Sequence, residues 1–228
     1  MFESKRAVLF DVGNTLHHVD HAWIAALLAE RGHSATAREV AVAEYRSKAA
    51  LDALFRTGPA GTDAMRQVPY VEIILRALGV PDAAHAALTE LITAENRRAA
   101  LWRVMHDDTP EVLAALRARG LTLAAVSNAD GRVAAALAAS GIAGHFAAII
   151  DSHEVGFEKP DPRIFHLALE ACGVAAAEAI YVGDIYELDV RGARNAGMEA
   201  VLIDPLGLYG EVDCPRIARL AELLDLLR

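Results

Sequence analysis

Asp11 closes a short apolar run, Ala7–Phe10, and opens the stretch DVGNT. Three more stretches gather polar groups in the same way. They are Ser127-Asn128, Lys159 within GFEKPDP, and Gly183-Asp184 continuing to Asp189 in GDIYELD. A carboxylate at a strand end can act as a nucleophile and split one hard displacement into two easier ones. If the reactant is itself an anion, the repulsion must be offset. A Mg²⁺ ion does this, held by one or two carboxylates together with water and reactant oxygens. A lysine at the same place adds a second positive charge.

Groups so far apart in sequence need a scaffold that brings them together. Apolar runs recur at Leu121–Val126, Ala147–Ile150, Ala179–Val182 and Ala200–Ile203. Each reads as a buried strand. Between them lie helices with clear punctuation. Thr109-Pro110 reads as an N-cap followed by proline, with Gly120 as the stop, and Asp161-Pro162 with Gly173 repeats the pattern. Strands alternating with helices imply an α/β fold, a doubly wound parallel sheet of about five strands with helices on both faces. Ligands of such sheets bind at the carboxyl ends of the strands, where all four polar stretches fall.

The stretch from His17 to Met105 contains no convincing strand. Trp23, Ile24, Leu27 and Leu28 share a helical face that Gly32 ends, with Asp20 as the N-cap. Thr36 and Glu39 make a capping-box pattern before a long helix towards Phe55, and RTGPAGT (Arg56–Thr62) reads as a loop. Val71, Ile74, Leu75 and Leu78 line one further helix, and Leu88, Leu91 and Ile92 another. The expected organisation is therefore a core of residues 1–16 and 106–228, with an α-helical unit of residues 17–105 inserted after the first strand.

Composition limits the partners. The 228 residues are 54% apolar, enough for a sizeable core, and the formal net charge is −9. A negative surface disfavours nucleic-acid backbones and anionic membranes. No apolar stretch reaches the roughly 20 residues of a membrane helix. Two cysteines, Cys172 and Cys214, lie in no CxxC or Cys/His cluster, which argues against zinc and suits a reducing compartment. The expectation is a soluble cytoplasmic protein, monomer or homodimer, acting on a small molecule.

The four stretches together resemble the motifs of the haloacid dehalogenase superfamily, subfamily I type with a helical C1 cap. DVGNTL is similar to its first motif, usually DxDxT. Ser127 resembles the second, Lys159 in KPDP the third, and GDxxxxD at Asp184 and Asp189 the fourth. The resemblance implies a Rossmann-like core with a cap domain, and a Mg²⁺-dependent hydrolase of a small phosphorylated metabolite. It makes Asp11 the nucleophile and gives Asp11, Asp184 and the backbone carbonyl of Gly13 as metal ligands. Asp189 would reach the ion through water or orient a ligand. Lys159 would face the nucleophile and phosphoryl oxygens, while Thr15 and Ser127, with the amides near Asn14 and Asn128, would hold the remaining oxygens.

One position departs from the pattern. Phosphatases of this family carry a second aspartate two residues after the nucleophile, and this chain has Gly13 there. Positioned acid–base help is worth about 10²–10⁴-fold, and glycine cannot move a proton. Three readings stay open. The first is a phosphatase with a substitute, for which His17 and His18 are candidates because histidine titrates near neutrality. The second is a dehalogenase- or phosphonatase-type hydrolase. Family dehalogenases need no Mg²⁺ and depart from GD, so Asp184 argues against them. Phosphonatases use a cap lysine, and Lys48, beside Tyr45 and Arg46, reads better as a solvated helix lysine. The third is a binding or regulatory protein on a weakened scaffold, against which the other motif residues remain.

Overall fold

The computed structural model describes residues 2, 4–57 and 63–227 of the chain. It divides into two compact units, Met1–His17 with Met105–Arg228, and His18–Val104.

In the first unit the strands are β1 (Ala7–Phe10), β4 (Thr122–Ser127), β5 (Ala148–Asp151), β6 (Ala179–Gly183), β7 (Glu199–Ile203) and β8 (Arg216–Ile217). They form a six-stranded parallel sheet in the order β5-β4-β1-β6-β7-β8. The sixth strand is two residues long and carries no apolar run, which is why the sequence suggests five. Successive strand residues point to opposite faces. Val8, Phe10, Leu123, Ala125, Ile180 and Val182 therefore meet Leu113 and Leu116 of α5 (Thr109–Ala118) and Leu137 of α6 (Val133–Ala139). Leu9, Ala124, Val126 and Tyr181 face the other way, onto Ile164, Phe165 and Ala168 of α8 (Pro162–Cys172). Burial on both faces explains why these strands read as unbroken apolar runs.

Punctuation decides most boundaries. Asp161 accepts from the Arg163 amide as the N-cap of α8, and Gly173 ends that helix in the left-handed region. At α5 the expected cap is displaced by one residue. Asp108 is the N-cap, and Thr109 is already helical, its hydroxyl donating to the Leu16 carbonyl at 3.3 Å.

The second unit holds α1 (His21–Glu30), α2 (Ala37–Thr57), α3 (Asp63–Ala77) and α4 (Asp82–Ala99). Its apolar centre includes Ile24, Leu28, Val71, Leu75, Leu88 and Ile92, from the helical faces read from the sequence, together with Val40. Asp20 caps α1 by accepting from the Trp23 amide at 2.9 Å, and Thr36 and Glu39 exchange the two bonds of a capping box. Of the expected loop, Arg56 and Thr57 belong to α2, and residues 58–62 lie outside the described residues. Strands are present after all at the ends of the insertion, β2 (His17–Val19) and β3 (Trp102–Met105), which pair with each other. They are too short for a period-2 pattern to show. Among the described residues, no helix is long and apolar enough to cross a membrane.

Lys48 corrects an expectation. It is buried, its Nζ 3.9 Å from the centroid of the Tyr45 ring, one helical turn from the fully buried Glu44. Arg46, between them in sequence, points outwards. Tyr70 donates to Glu44 Oε1 at 2.5 Å and His21 Nε2 lies 3.6 Å from Oε2. Burial pushes the Glu44 carboxyl up, but Lys48 and the His21 and Tyr70 bonds outweigh it and hold the group below its usual range. The i,i+4 spacing put these charges on one face, and the tertiary contacts turned that face inward. Glu44→Ala is expected to lower the free energy of unfolding by about 3 kcal/mol, because removing one partner leaves a buried charge uncompensated. Urea denaturation measures it, and a change within error would show that the cluster contributes nothing to stability.

Candidate active site

The sheet assembles the four polar stretches. β1 lies between β4 and β6, with Phe10 in register with Ala125 and with Val182. The chain thus delivers Asp11, Ser127 and Asp184 to one end of three adjacent strands. Asp11, Thr15, Ser127, Lys159, Asp184 and Asp189 are all buried.

Lys159 is the hub. Its ammonium donates to Asp11 Oδ1 at 2.6 Å, to Asp189 Oδ1 at 2.7 Å and to the Tyr181 hydroxyl at 3.0 Å. Burial favours the neutral amine, but Asp11 and Asp189 outweigh it and hold the group protonated, well above the usual lysine value. Asn128 grips the backbone of the same residue. Its side-chain amide donates to the Lys159 carbonyl at 3.0 Å and its oxygen accepts from the Lys159 N–H at 2.8 Å. Tyr181, on β6, donates onwards to the Val126 carbonyl at 3.2 Å, tying the lysine to β4 across β1.

The fourth stretch folds around Asp189. Tyr186–Val190 form one wide π-helical turn. It brings Asp189 Oδ2 to the amides of Asp184 at 3.1 Å and Ile185 at 2.9 Å. A Cβ on Gly183 would lie 2.3 Å from the Asp189 carboxyl carbon, so a side chain there would displace the carboxylate. Both Asp189 oxygens are engaged, one by the lysine and one by the loop.

One carboxylate oxygen from each of Asp11, Asp184 and Asp189 lies within 4.8 Å of the others. Buried carboxylates this close are the hard oxygen donors that suit Mg²⁺, so the residues fit that ion. Asp11 shows the strain of the arrangement. Burial is the main cause raising its carboxyl from 3.8 to about 7. Lys159 pulls it down, while Asp189 and Asp184 push it up again. Thr15 donates to Asp11 Oδ2 at 3.3 Å. Asn14 sits in the left-handed region at φ 57°, which asparagine tolerates better than most residues.

His17 and His18 separate. His17 belongs with the core unit and is fully buried. Its carbonyl accepts from the Asn14 amide at 2.5 Å, which closes the turn after Asp11. His18 belongs to the helical unit, where Nδ1 lies 2.8 Å from the Val19 carbonyl and the ring stacks on His21 at 5.1 Å. Sequence reasoning missed Tyr181 and the Asn128 grip. A tyrosine in an otherwise aliphatic strand was the one available signal for the first, and nothing local announced the second.

The raised Asp11 carboxyl has a consequence for the metal-free protein. A group at 3.8 when unfolded and about 7 when folded contributes stability at acid pH, and that contribution is lost as pH rises through 7. Asp11→Asn is therefore expected to raise the melting temperature of the EDTA-treated protein at pH 8, with the difference shrinking towards pH 4. A variant less stable than the parent at pH 8 would contradict the account of this carboxyl.

Comparison with known proteins gives these geometries a family. A family model described as haloacid dehalogenase-like hydrolase matches residues 5–197. The phosphoserine phosphatase of Thermus thermophilus is 39% identical over 171 residues, which cover 71% of this chain and 67% of that protein. The glyceraldehyde 3-phosphate phosphatase of Methanopyrus kandleri is 30% identical over 238 residues, covering 98% and 97%. The fold is shared with the HAD-hydrolase YfnB of Bacillus subtilis, at a TM-score of 0.68, 22% identity and 99% coverage of both chains. It is shared also with the L-2-haloacid dehalogenase of Xanthobacter autotrophicus, at a TM-score of 0.62, 22% identity and coverage of 97% and 98%. With the family matched across most of its length and a relative matched almost from end to end, the chain belongs to the haloacid dehalogenase-like hydrolases and is a hydrolase.

Proposed function

We propose that the protein is a Mg²⁺-dependent phosphatase of a small phosphorylated metabolite, working through an aspartyl-phosphate at Asp11. The observation that carries this reading is the Lys159 ammonium 2.6 Å from a buried Asp11, in a cluster with Asp184 and Asp189. The names of two relatives, each a phosphatase of a small phosphate ester, support it.

Asp11, Asp184 and the Gly13 carbonyl would hold the ion, and Mg²⁺ bound there would offset the negative charge between carboxylate and phosphate. Asp189 serves the site through the loop amides and the lysine, which suits orienting the ligands rather than binding directly. In the first step an Asp11 oxygen bonds to phosphorus, the bond from phosphorus to the substrate oxygen breaks, and that oxygen leaves with a proton. In the second, water attacks the same phosphorus, the bond to Asp11 breaks, and inorganic phosphate departs with the carboxylate restored. Lys159 stays protonated throughout and faces the charge that develops on the phosphoryl oxygens. The Thr15 and Ser127 hydroxyls and the amides near Asn128 would complete the oxygen cradle, whereas the Asn14 amide is already engaged by the His17 carbonyl. Gly13 supplies no proton, so the leaving oxygen takes its proton from His17 or His18, or is a good leaving group.

A carbon–halogen hydrolase on the same scaffold is the second reading, and the Asp184 carboxylate within reach of Asp11 weighs against it. The test is a screen of phosphorylated metabolites with Mg²⁺, run beside 2-haloacids and a phosphonate. Phosphate release that stops in EDTA is the expected result, and metal-independent halide release would overturn the proposal. Asp11→Asn should reduce turnover to background. Gly13→Asp should raise kcat by about 10²-fold if acid–base help is what is missing. Unchanged kcat in that variant would point to a different substrate class.

A further inference from the structure

The loop after β7 reaches back to the Asp184 stretch, and the reason lies in one side chain. The Tyr209 hydroxyl donates to the main-chain carbonyl of Asp184 at 3.2 Å and accepts from the Tyr186 amide at 3.4 Å. It therefore spans the turn that carries the Asp184 carboxylate, using groups that Asp189 does not.

Tyr209 is itself held. Asp204, buried at the end of β7, accepts from the Leu208 and Tyr209 amides at 3.0 and 3.1 Å. Arg216 on β8 lies 3.3 Å from Asp204 Oδ2 and donates to the Tyr209 carbonyl at 2.6 Å. A second tie runs in parallel. Arg194 donates to Asp213 Oδ1 at 2.8 Å and to its carbonyl at 2.7 Å, and Asp213 accepts from the Tyr186 hydroxyl at 2.5 Å. The loop is thus anchored to the sheet through Asp204 and Arg216 and to the helix Arg191–Asn195, which precedes β7, through Arg194, with the Tyr209 hydroxyl on the Asp184 turn.

We propose that Tyr209 is a positioning residue for the metal centre, setting the main chain of Asp184 so that its carboxylate meets Asp11 across one ion. The inference rests on the metal-site reading above. The Asp189 bonds hold the Asp184 and Ile185 amides, and Tyr209 holds the Asp184 carbonyl and the Tyr186 amide, so the two together leave the turn little freedom. Groups behind a ligand commonly change metal affinity by about 10–100-fold when removed.

Tyr209→Phe keeps the ring and deletes both hydrogen bonds. Calorimetric titration of the EDTA-stripped chain with Mg²⁺ should show a dissociation constant raised about 10-fold. Melting of the metal-free chain should shift little. Asp204→Asn, which loosens the anchor of Tyr209, should move affinity in the same direction. Unchanged Mg²⁺ affinity in Tyr209→Phe would overturn the inference, and so would a lower metal-free melting temperature at unchanged affinity, since that is a structural role alone. If the parent chain takes up no Mg²⁺, the metal-site reading and this inference fall together. If it binds Mg²⁺ and Tyr209→Phe binds it less well, the inference stands even where no phosphate ester is turned over.

Discussion

Three carboxylates share a pocket with one ammonium, and water has little access to any of them. Bringing ionised carboxylates out of water costs several kcal/mol each unless a partner compensates. Lys159 is that partner for two of the three, at 2.6 and 2.7 Å. With all four groups ionised, three negative charges and one positive leave an excess of two. Burial is the main cause of the raised Asp11 carboxyl, with Asp189 and Asp184 adding to it, and the excess charge makes the pocket receptive to a divalent cation. The lysine does not neutralise the site. It brings the site close enough to balance for the chain to fold around it.

Much of the surrounding structure exists to keep that ammonium and its partners in place. Asn128 holds the lysine by its backbone, so the side chain starts from a defined point. Tyr181 links its tip to β4. Gly183 leaves the space that the Asp189 carboxylate fills, and Asp189 in turn organises the Asp184 amide. These contacts come from different strands, so the parallel sheet supplies the precision. The strand ends are rigid because both faces are buried, and the polar residues one step beyond inherit that rigidity.

The motif residues were legible because their chemistry leaves few alternatives. Asp11 and Asp184 each follow an apolar run, and Lys159 lies in a proline-flanked loop of distinctive composition. The helical insertion was legible from period 3.6, and its boundary strands were not, because three or four residues cannot display an alternation. Lys48 misled for a different reason. Charged residues on a helix are solvated far more often than buried, and sequence cannot show which neighbours will close over them. The Asn128 grip and the Tyr209 contact depend on loops from distant parts of the chain meeting in space, and no local pattern encodes that. Gly13 was legible as a departure, and the structure adds the His17 carbonyl bond that closes its turn.

The strand order also shapes how the protein is made. β1 is synthesised first, yet its two neighbours in the sheet, β4 and β6, begin at Thr122 and Ala179. Until those segments emerge from the ribosome, Ala7–Phe10 lacks the strands it pairs with in the sheet, and its apolar side chains lack their neighbours. Non-local parallel pairing is slow, and such intermediates are prone to associate. The inserted helices, whose contacts are more local, can condense while the first strand still waits. The strand order thus sets the point in synthesis at which the first strand can be covered on both edges.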